Sequence, residues 1–206
     1  MLDAVQRYYS EKVTEHGPTA KGVDWNSEAS QELRFEQLLK VCDFASTFTI
    51  NDYGCGYGAL VGYLEERGCR FRYTGFDISA RMLEQARELV GDSEGYRFVE
   101  ADGDLERADF TVASGIFNVR LDAGDDAWET HLLSTLDRLD ALSERGFAFN
   151  MLTSYSDPDR MRPDLYYADP RAIFDRCQRS YSRWVALLHD YGLYEFTILV
   201  RKEVAS

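Results

Sequence analysis

The sequence predicts an α/β fold, a doubly wound sheet of seven strands that is mostly parallel, with helices on both faces and an antiparallel hairpin strand at the carboxyl end. Three observations carry this expectation. Apolar, β-rich runs alternate with stretches of helical spacing, the pattern of strand–helix–strand units in a parallel sheet. The last two runs are joined by only "DYGL", too short for a crossover helix, so they must be antiparallel neighbours. A glycine-rich turn follows the first run at once.

The elements follow in order. Residues 1–45 are expected to form a helical lid or cap, and 46–206 a ligand-binding α/β core, the whole being one domain. Within the cap, "WNSEASQELRFEQLL" reads as a helix capped by Asn26 or Ser27, with Leu33, Phe35, Leu38 and Leu39 turned to the core. Gln31 and Arg34, three apart, share a neighbouring face. Strands are expected at "FTIND", "RYTGFD", "YRFVEAD", "ADFTVAS" and "GFAFNML", then at "WVALLHD" and "YEFTILVRK". Helices are expected at "GALVGYLEERG", "SARMLEQARELVG" and "AWETHLLSTLDRLDALSERG", and "SDPDRMRPDLYYADP" reads as a loop.

Composition narrows the function. The 206 residues carry 23 basic and 36 acidic side chains, a formal charge of −13 that would repel a phosphate backbone and argues against nucleic acid as a partner. The amino terminus has neither the basic start nor the apolar core of a signal peptide, and no apolar run approaches the length of a membrane span, so a cytoplasmic protein without a membrane partner is expected. Cys42, Cys55, Cys69 and Cys177 form no C-x-x-C pair, which argues against a metal site and a disulfide framework.

The stretch "NDYGCGYG" holds the first chemical signal. Gly54, Gly56 and Gly58 form the turn between the first strand and its helix, where a backbone without side chains lets a ligand approach and lets the helix start close to the sheet. Asp52, two residues earlier, would be awkward beside a phosphate and welcome beside a cation. Asp77 closes the second strand 25 residues later, where a carboxylate can accept both hydroxyls of a ribose, and Asp102 follows the third strand after another 25 residues. Three acids on one rim suit a ligand with a ribose, an adenine amino group and a positive centre.

"DYGCGYG", "GFDIS", "EADGD" and "ASGIFN", in that order, resemble the successive motifs of class I S-adenosylmethionine-dependent methyltransferases, and the flanking segments resemble a small bacterial subgroup without an assigned substrate. The resemblance implies a Rossmann-like methyltransferase fold and S-adenosylmethionine as cofactor. It implies that Gly54, Cys55, Gly56 and Gly58 line the methionine and ribose portion, that Asp77 binds the ribose hydroxyls with Ile78 against the adenine, and that Asp102 and Gly103 border the adenine edge. Ser114 and Gly115 would close the methionine side. Gln31 or Arg34 would reach the ligand carboxylate, and Trp25 would cover the exposed side.

Methyl transfer from a sulfonium is an in-line displacement, so alignment and exclusion of water supply most of the acceleration and no protein nucleophile is needed. A base helps if the acceptor is a hydroxyl or a protonated amine. His16, in the "TEHGPTAKG" loop, is the candidate; His131, in a polar helix, reads as solvated and His189 as part of a turn. Tyr8, Tyr9, Tyr155, Tyr166 and Tyr167 are candidates for the wall of an acceptor pocket, and Asn118 and Arg120 for gripping an anionic group. A small-molecule acceptor, methylated on oxygen or nitrogen, is expected. A nicotinamide-dependent oxidoreductase is disfavoured because G-x-G-x-x-G is absent. A non-catalytic S-adenosylmethionine-binding sensor or partner domain is the alternative.

Overall fold

The computed structural model of the chain describes residues 2–25, 27–91 and 93–202. Seven strands, β1 (Phe48–Tyr53), β2 (Phe71–Phe76), β3 (Tyr96–Val99), β4 (Ala108–Ala113), β5 (Ser143–Leu152), β6 (Trp184–Leu188) and β7 (Glu195–Arg201), form one sheet in the order β3-β2-β1-β4-β5-β7-β6. The first five run parallel, and β7 lies antiparallel between β5 and β6. The hairpin is thus as expected, and its second strand takes the inner place. Phe196, Ile198 and Val200 are fully buried, whereas β6, the edge strand, is partly exposed along its length.

Six helices, α1 (Leu2–His16), α2 (Glu28–Leu39), α3 (Ala59–Glu66), α4 (Ala80–Val90), α5 (Asp125–Leu142) and α6 (Pro170–Ser180), accompany the sheet. On one face Phe35, Leu38 and Leu39 of α2 and Leu60, Val61 and Leu64 of α3 pack on Phe48, Ile50 and Phe110. On the other, Leu132, Leu136 and Leu139 of α5 and Ile173 and Cys177 of α6 pack on Phe147, Phe149, Phe196 and Ile198. Ser27 caps α2, exchanging hydrogen bonds with Ser30 in a capping box; Asn26 lies outside the described residues. No helix among the described residues is long and apolar enough to cross a membrane.

Three elements differ from expectation. The helix expected to run through "SERG" ends at Leu142, where Ser143 Oγ donates to Leu139 O at 2.7 Å and the residue pairs with Ala108 as the start of β5. Helix α6 carries few apolar residues, yet Asp169 accepts from Arg171 N at its start and Pro170 occupies the first turn, a local start signal that outranks its polar composition. In "TEHGPTAKG", Thr14–His16 are the last turn of α1, Gly17 ends it at φ 68°, and a 3₁₀ turn spans Ala20–Val23. Between β3 and β4 there is only a 3₁₀ turn, Asp102–Asp104, which Arg138 of α5 holds through Asp102.

Candidate active site

β1 and β4 are adjacent, and the chain leaves them toward opposite sides of the sheet, so a crevice opens above their carboxyl ends. The glycine turn forms its floor. Gly54 N and Cys55 N both donate to Phe76 O, at 2.7 and 2.9 Å, tying the turn to the end of β2. Gly54 has φ 84°, and a Cβ there would stand 2.3 Å from Ile116 Cγ2, so no side chain fits. Gly56 N donates to Asp77 Oδ2 at 2.9 Å. A cavity of 670 Å³ rises from this floor, within the range of about 300–1,000 Å³ that holds small molecules.

Two acids at its base are pushed toward the neutral form. Asp52 is 3% exposed and accepts one hydrogen bond, from the Tyr73 hydroxyl to Oδ2 at 2.9 Å. Burial raises its pKa to about 7, more than that bond lowers it. Asp77 accepts from Ser79 N at 2.8 Å on Oδ1 and from Gly56 N on Oδ2. Burial still raises its pKa to about 6. Asp102, the third rim acid, is held by Arg138, whose Nε lies 2.9 Å from Oδ1 and whose second nitrogen donates to the Asp102 carbonyl at 2.8 Å.

The cap closes the opposite side. Helix α1 sends Leu2, Val5 and Tyr9 to the cavity and is tied to its rim through Gln6 Nε2, 2.6 Å from Ile78 O, and Ser10 Oγ, 2.8 Å from Ser79 Oγ. Trp25 lines the cavity and presses on Gly115, where a Cβ would meet the indole at 2.4 Å. Beneath Trp25, the Arg34 guanidinium stacks at 3.7 Å from the ring centroid. Gln31 Oε1 accepts from the Tyr57 hydroxyl at 2.8 Å, which turns the amide so that Nε2 is free to donate; it makes no hydrogen bond among the described residues.

Tyr9, Trp25, Gln31, Asp52, Gly54, Cys55, Gly56, Asp77, Ile78, Asp102, Ser114 and Gly115 all line one cavity. Other candidates stand elsewhere. Arg34 does not face the cavity: its Nε lies 3.0 and 2.9 Å from the carboxylate oxygens of Glu195, a buried partner 161 residues away. Gly58 starts α3 and packs beneath the turn, a Cβ there falling 3.2 Å from Val90. Gly103 lies outside the wall.

His16 ends α1 with Nε2 3.8 Å from Glu15, and Tyr8 turns away to donate to Asp24 Oδ2 at 2.8 Å. Asn118 is buried as a backbone clamp, accepting from Leu152 N at 3.2 Å, and Arg120 pairs with Asp125. Tyr155 packs on His189, Tyr166 on Trp128, and the Tyr167 hydroxyl accepts from Arg162 N, all outside the cavity.

One face of α5 was not recognised as part of the site. His131, Ser134, Thr135 and Arg138, spaced i, i+3, i+4 and i+7, all line the cavity. The expectation that His131 is merely solvated fails, because this face of α5 lines the crevice and burial lowers the imidazole's pKa. The available signal was a polar stripe at helical spacing beside the apolar stripe Trp128, Leu132, Leu136 and Leu139.

Comparison with known proteins agrees with this architecture. Residues 50–133, from β1 into α5, match a family described as a methyltransferase domain. A curated protein of Mycobacterium tuberculosis (strain ATCC 25618 / H37Rv), named "Putative methyltransferase Rv1506c", is 56% identical over 164 residues, covering 80% of this chain and 99% of the relative. Trans-aconitate 2-methyltransferase of Rhodopseudomonas palustris (strain BisB18) is 37% identical over 87 residues, 38% of this chain and 32% of that protein. Among solved structures, magnesium protoporphyrin IX methyltransferase from Synechocystis PCC 6803 with bound SAH superposes with a TM-score of 0.69, covering 98% of this chain and all of that one at 13% identity. The enzyme uses S-adenosylmethionine, and the chain belongs to the class I S-adenosylmethionine-dependent methyltransferases.

Proposed function

We propose that the enzyme methylates an oxygen or nitrogen of a small-molecule acceptor, with the cofactor lying across the glycine turn. Asp77 carries this reading. Each of its oxygens is fixed by a backbone N–H and keeps lone pairs for a ribose hydroxyl. Ser114 fits as well: its Oγ is buried without a hydrogen-bond partner on the cavity wall, and an amino or carboxylate group of the ligand would satisfy it. When bound, the cofactor supplies a methyl group already activated on a sulfonium.

The protein's contribution is then to bind, align and keep dry. Gln31 Nε2 offers donors to the ligand carboxylate in place of Arg34. Asp52 supplies negative charge beside the cationic centre, and Arg138 holds Asp102 toward the adenine edge. His131, neutral at pH 7, replaces His16 as the wall group able to take a proton from an acceptor.

In this reading residues 1–45 cap a core of residues 46–206 in one cytoplasmic domain, and α1 is a lid that excludes water. Neither nucleic acid nor a membrane is a partner.

Calorimetry tests the ligand: S-adenosylmethionine should bind with micromolar affinity and NAD should not, and the opposite order removes the reading. Deleting α1 should leave a folded sheet that binds cofactor more weakly and turns over almost nothing; undiminished turnover would show α1 to be only a terminus.

A further inference from the structure

We infer that Asp24 is a positioning residue: its carboxylate joins α1 to the loop after β5 and so holds Tyr9 and Trp25 against the cavity. This rests on the methyltransferase reading of the cavity and deepens it.

Asp24 receives donors from two distant parts of the chain. From α1, the Tyr8 hydroxyl donates to Oδ2 at 2.8 Å and Lys12 Nζ lies 3.0 Å from Oδ1. From the loop, one terminal nitrogen of Arg162 lies 3.6 Å from Oδ2, while its Nε donates to Asp164 at 3.1 Å. The Asp164 carbonyl in turn accepts from Arg120 N and Leu121 N, at 3.1 and 3.0 Å, which fixes the loop to the segment after β4.

The helical period gives these contacts their meaning. With 3.6 residues per turn, Leu2, Val5 and Tyr9 share the face that lines the cavity. Gln6 and Ser10, bonded to Ile78 O and Ser79 Oγ, lie about 90° to one side of that face, and Tyr8 and Lys12 about 70° to the other. The helix is therefore clamped on both flanks, by the turn that carries Asp77 and by Asp24. Trp25 follows Asp24 directly, and Tyr9 follows Tyr8, so each side of the Tyr8–Asp24 bond adjoins a residue of the cavity wall. Asp24 itself is held at φ 61°, with its N–H turned back to Ala20 O and Lys21 O, a conformation that a side chain rarely adopts and that here aims the carboxylate at α1.

The test uses the full-length chain with S-adenosylhomocysteine as the probe. Glycine accepts this backbone conformation more readily than aspartate, so Asp24→Gly removes the carboxylate without straining the turn. The melting temperature should change little. Amide hydrogen exchange should quicken in α1 and not in α5, with and without ligand, and bound S-adenosylhomocysteine should leave about tenfold faster, as expected when a hydrogen bond to a charged group is lost. Tyr8→Phe and Arg162→Met should each give part of this effect, and combining either with Asp24→Gly should add nothing, because both act through the same carboxylate. If Asp24→Gly does not fold, Tyr8→Phe carries the test with a severalfold faster release. Release at the wild-type rate overturns the inference, as do additive effects or exchange that quickens equally in α5. If the wild-type chain does not bind S-adenosylhomocysteine, the cofactor reading falls and takes this role of Asp24 with it. If it binds and α1 exchange is unchanged in Asp24→Gly, the role of Asp24 falls and the cofactor reading stands.

Discussion

Two groups of buried or half-buried polar side chains sit along the same edge of the sheet and treat their hydrogen bonds differently. At the start of β7, Glu195 is enclosed by Arg34 and by Asn150 Nδ2 at 2.5 Å, and Asn150 Oδ1 accepts from Gly115 N at 2.8 Å. Within this group each charge has its partner. At the ends of β1 and β2, Asp52 and Asp77 keep unused lone pairs, and their proton affinity is raised. A paired buried charge is scaffold, here one that seats Trp25 and Gly115. A buried acid with hydrogen-bonding capacity to spare, here on a cavity wall, is the candidate for meeting a ligand.

Breaking the scaffold group should have the largest effect. Glu195→Ala strands the Arg34 charge in the interior and should cost about 3–5 kcal/mol in chemical denaturation. The double variant R34M/E195M removes both charges and should recover most of that loss, because a buried ion pair is often no more stabilising than an apolar pair. It should nevertheless bind cofactor more weakly, since Trp25 loses its stacking partner. If it is as unstable as the single variant, the pair is not the reason for the loss.

The site group should respond to pH with the opposite sign from an ordinary ion pair. Asp52 and Asp77 have folded values of about 7 and 6 against an ordinary 3.8, so between pH 4 and 7 the folded state binds more protons than the unfolded one. Stability of the ligand-free enzyme therefore falls as pH rises through this window. Asp52→Asn should flatten that slope and raise stability above pH 7 by about 2–4 kcal/mol. A melting temperature with the same pH dependence in variant and wild type would place the titration elsewhere.

Smaller effects sharpen the contrast. Asp77→Ala should weaken cofactor binding at least tenfold, from charge-assisted bonds worth about 1.5–3 kcal/mol each, with little change in fold stability. Tyr57→Phe removes the donor that orients Gln31, a bond worth about 0.5–1.5 kcal/mol, and should lower cofactor affinity severalfold while circular dichroism stays unchanged. Equal affinities in the Tyr57 variant and wild type would show that the amide needs no such guide.

Much of this was legible in the chain. Strand–helix alternation, the short "DYGL" link and the glycine turn are local patterns, set by side-chain period and by backbone freedom at Gly54 and Gly56, so they can be read without knowing what lies nearby. Asp52, Asp77 and Asp102 were legible because a parallel sheet brings successive strand ends to one edge. Helix α6 was hidden because its evidence is a cap rather than a stripe, and the end of α5 because Ser143 serves helix and strand in turn.

By itself, the sequence determined the class of fold and the edge of the sheet at which Asp52, Asp77 and Asp102 gather, since each follows from periods and spacings along a single chain. Tertiary structure alone decided the partners. Arg34 faces Glu195 because α2 packs above β7, an encounter across 161 residues that no spacing announces. His131 lines the cavity because α5 lays one of its faces along the same crevice as the glycine turn. Burial and pairing depend on which surfaces close on one another, and those surfaces come from distant parts of the chain.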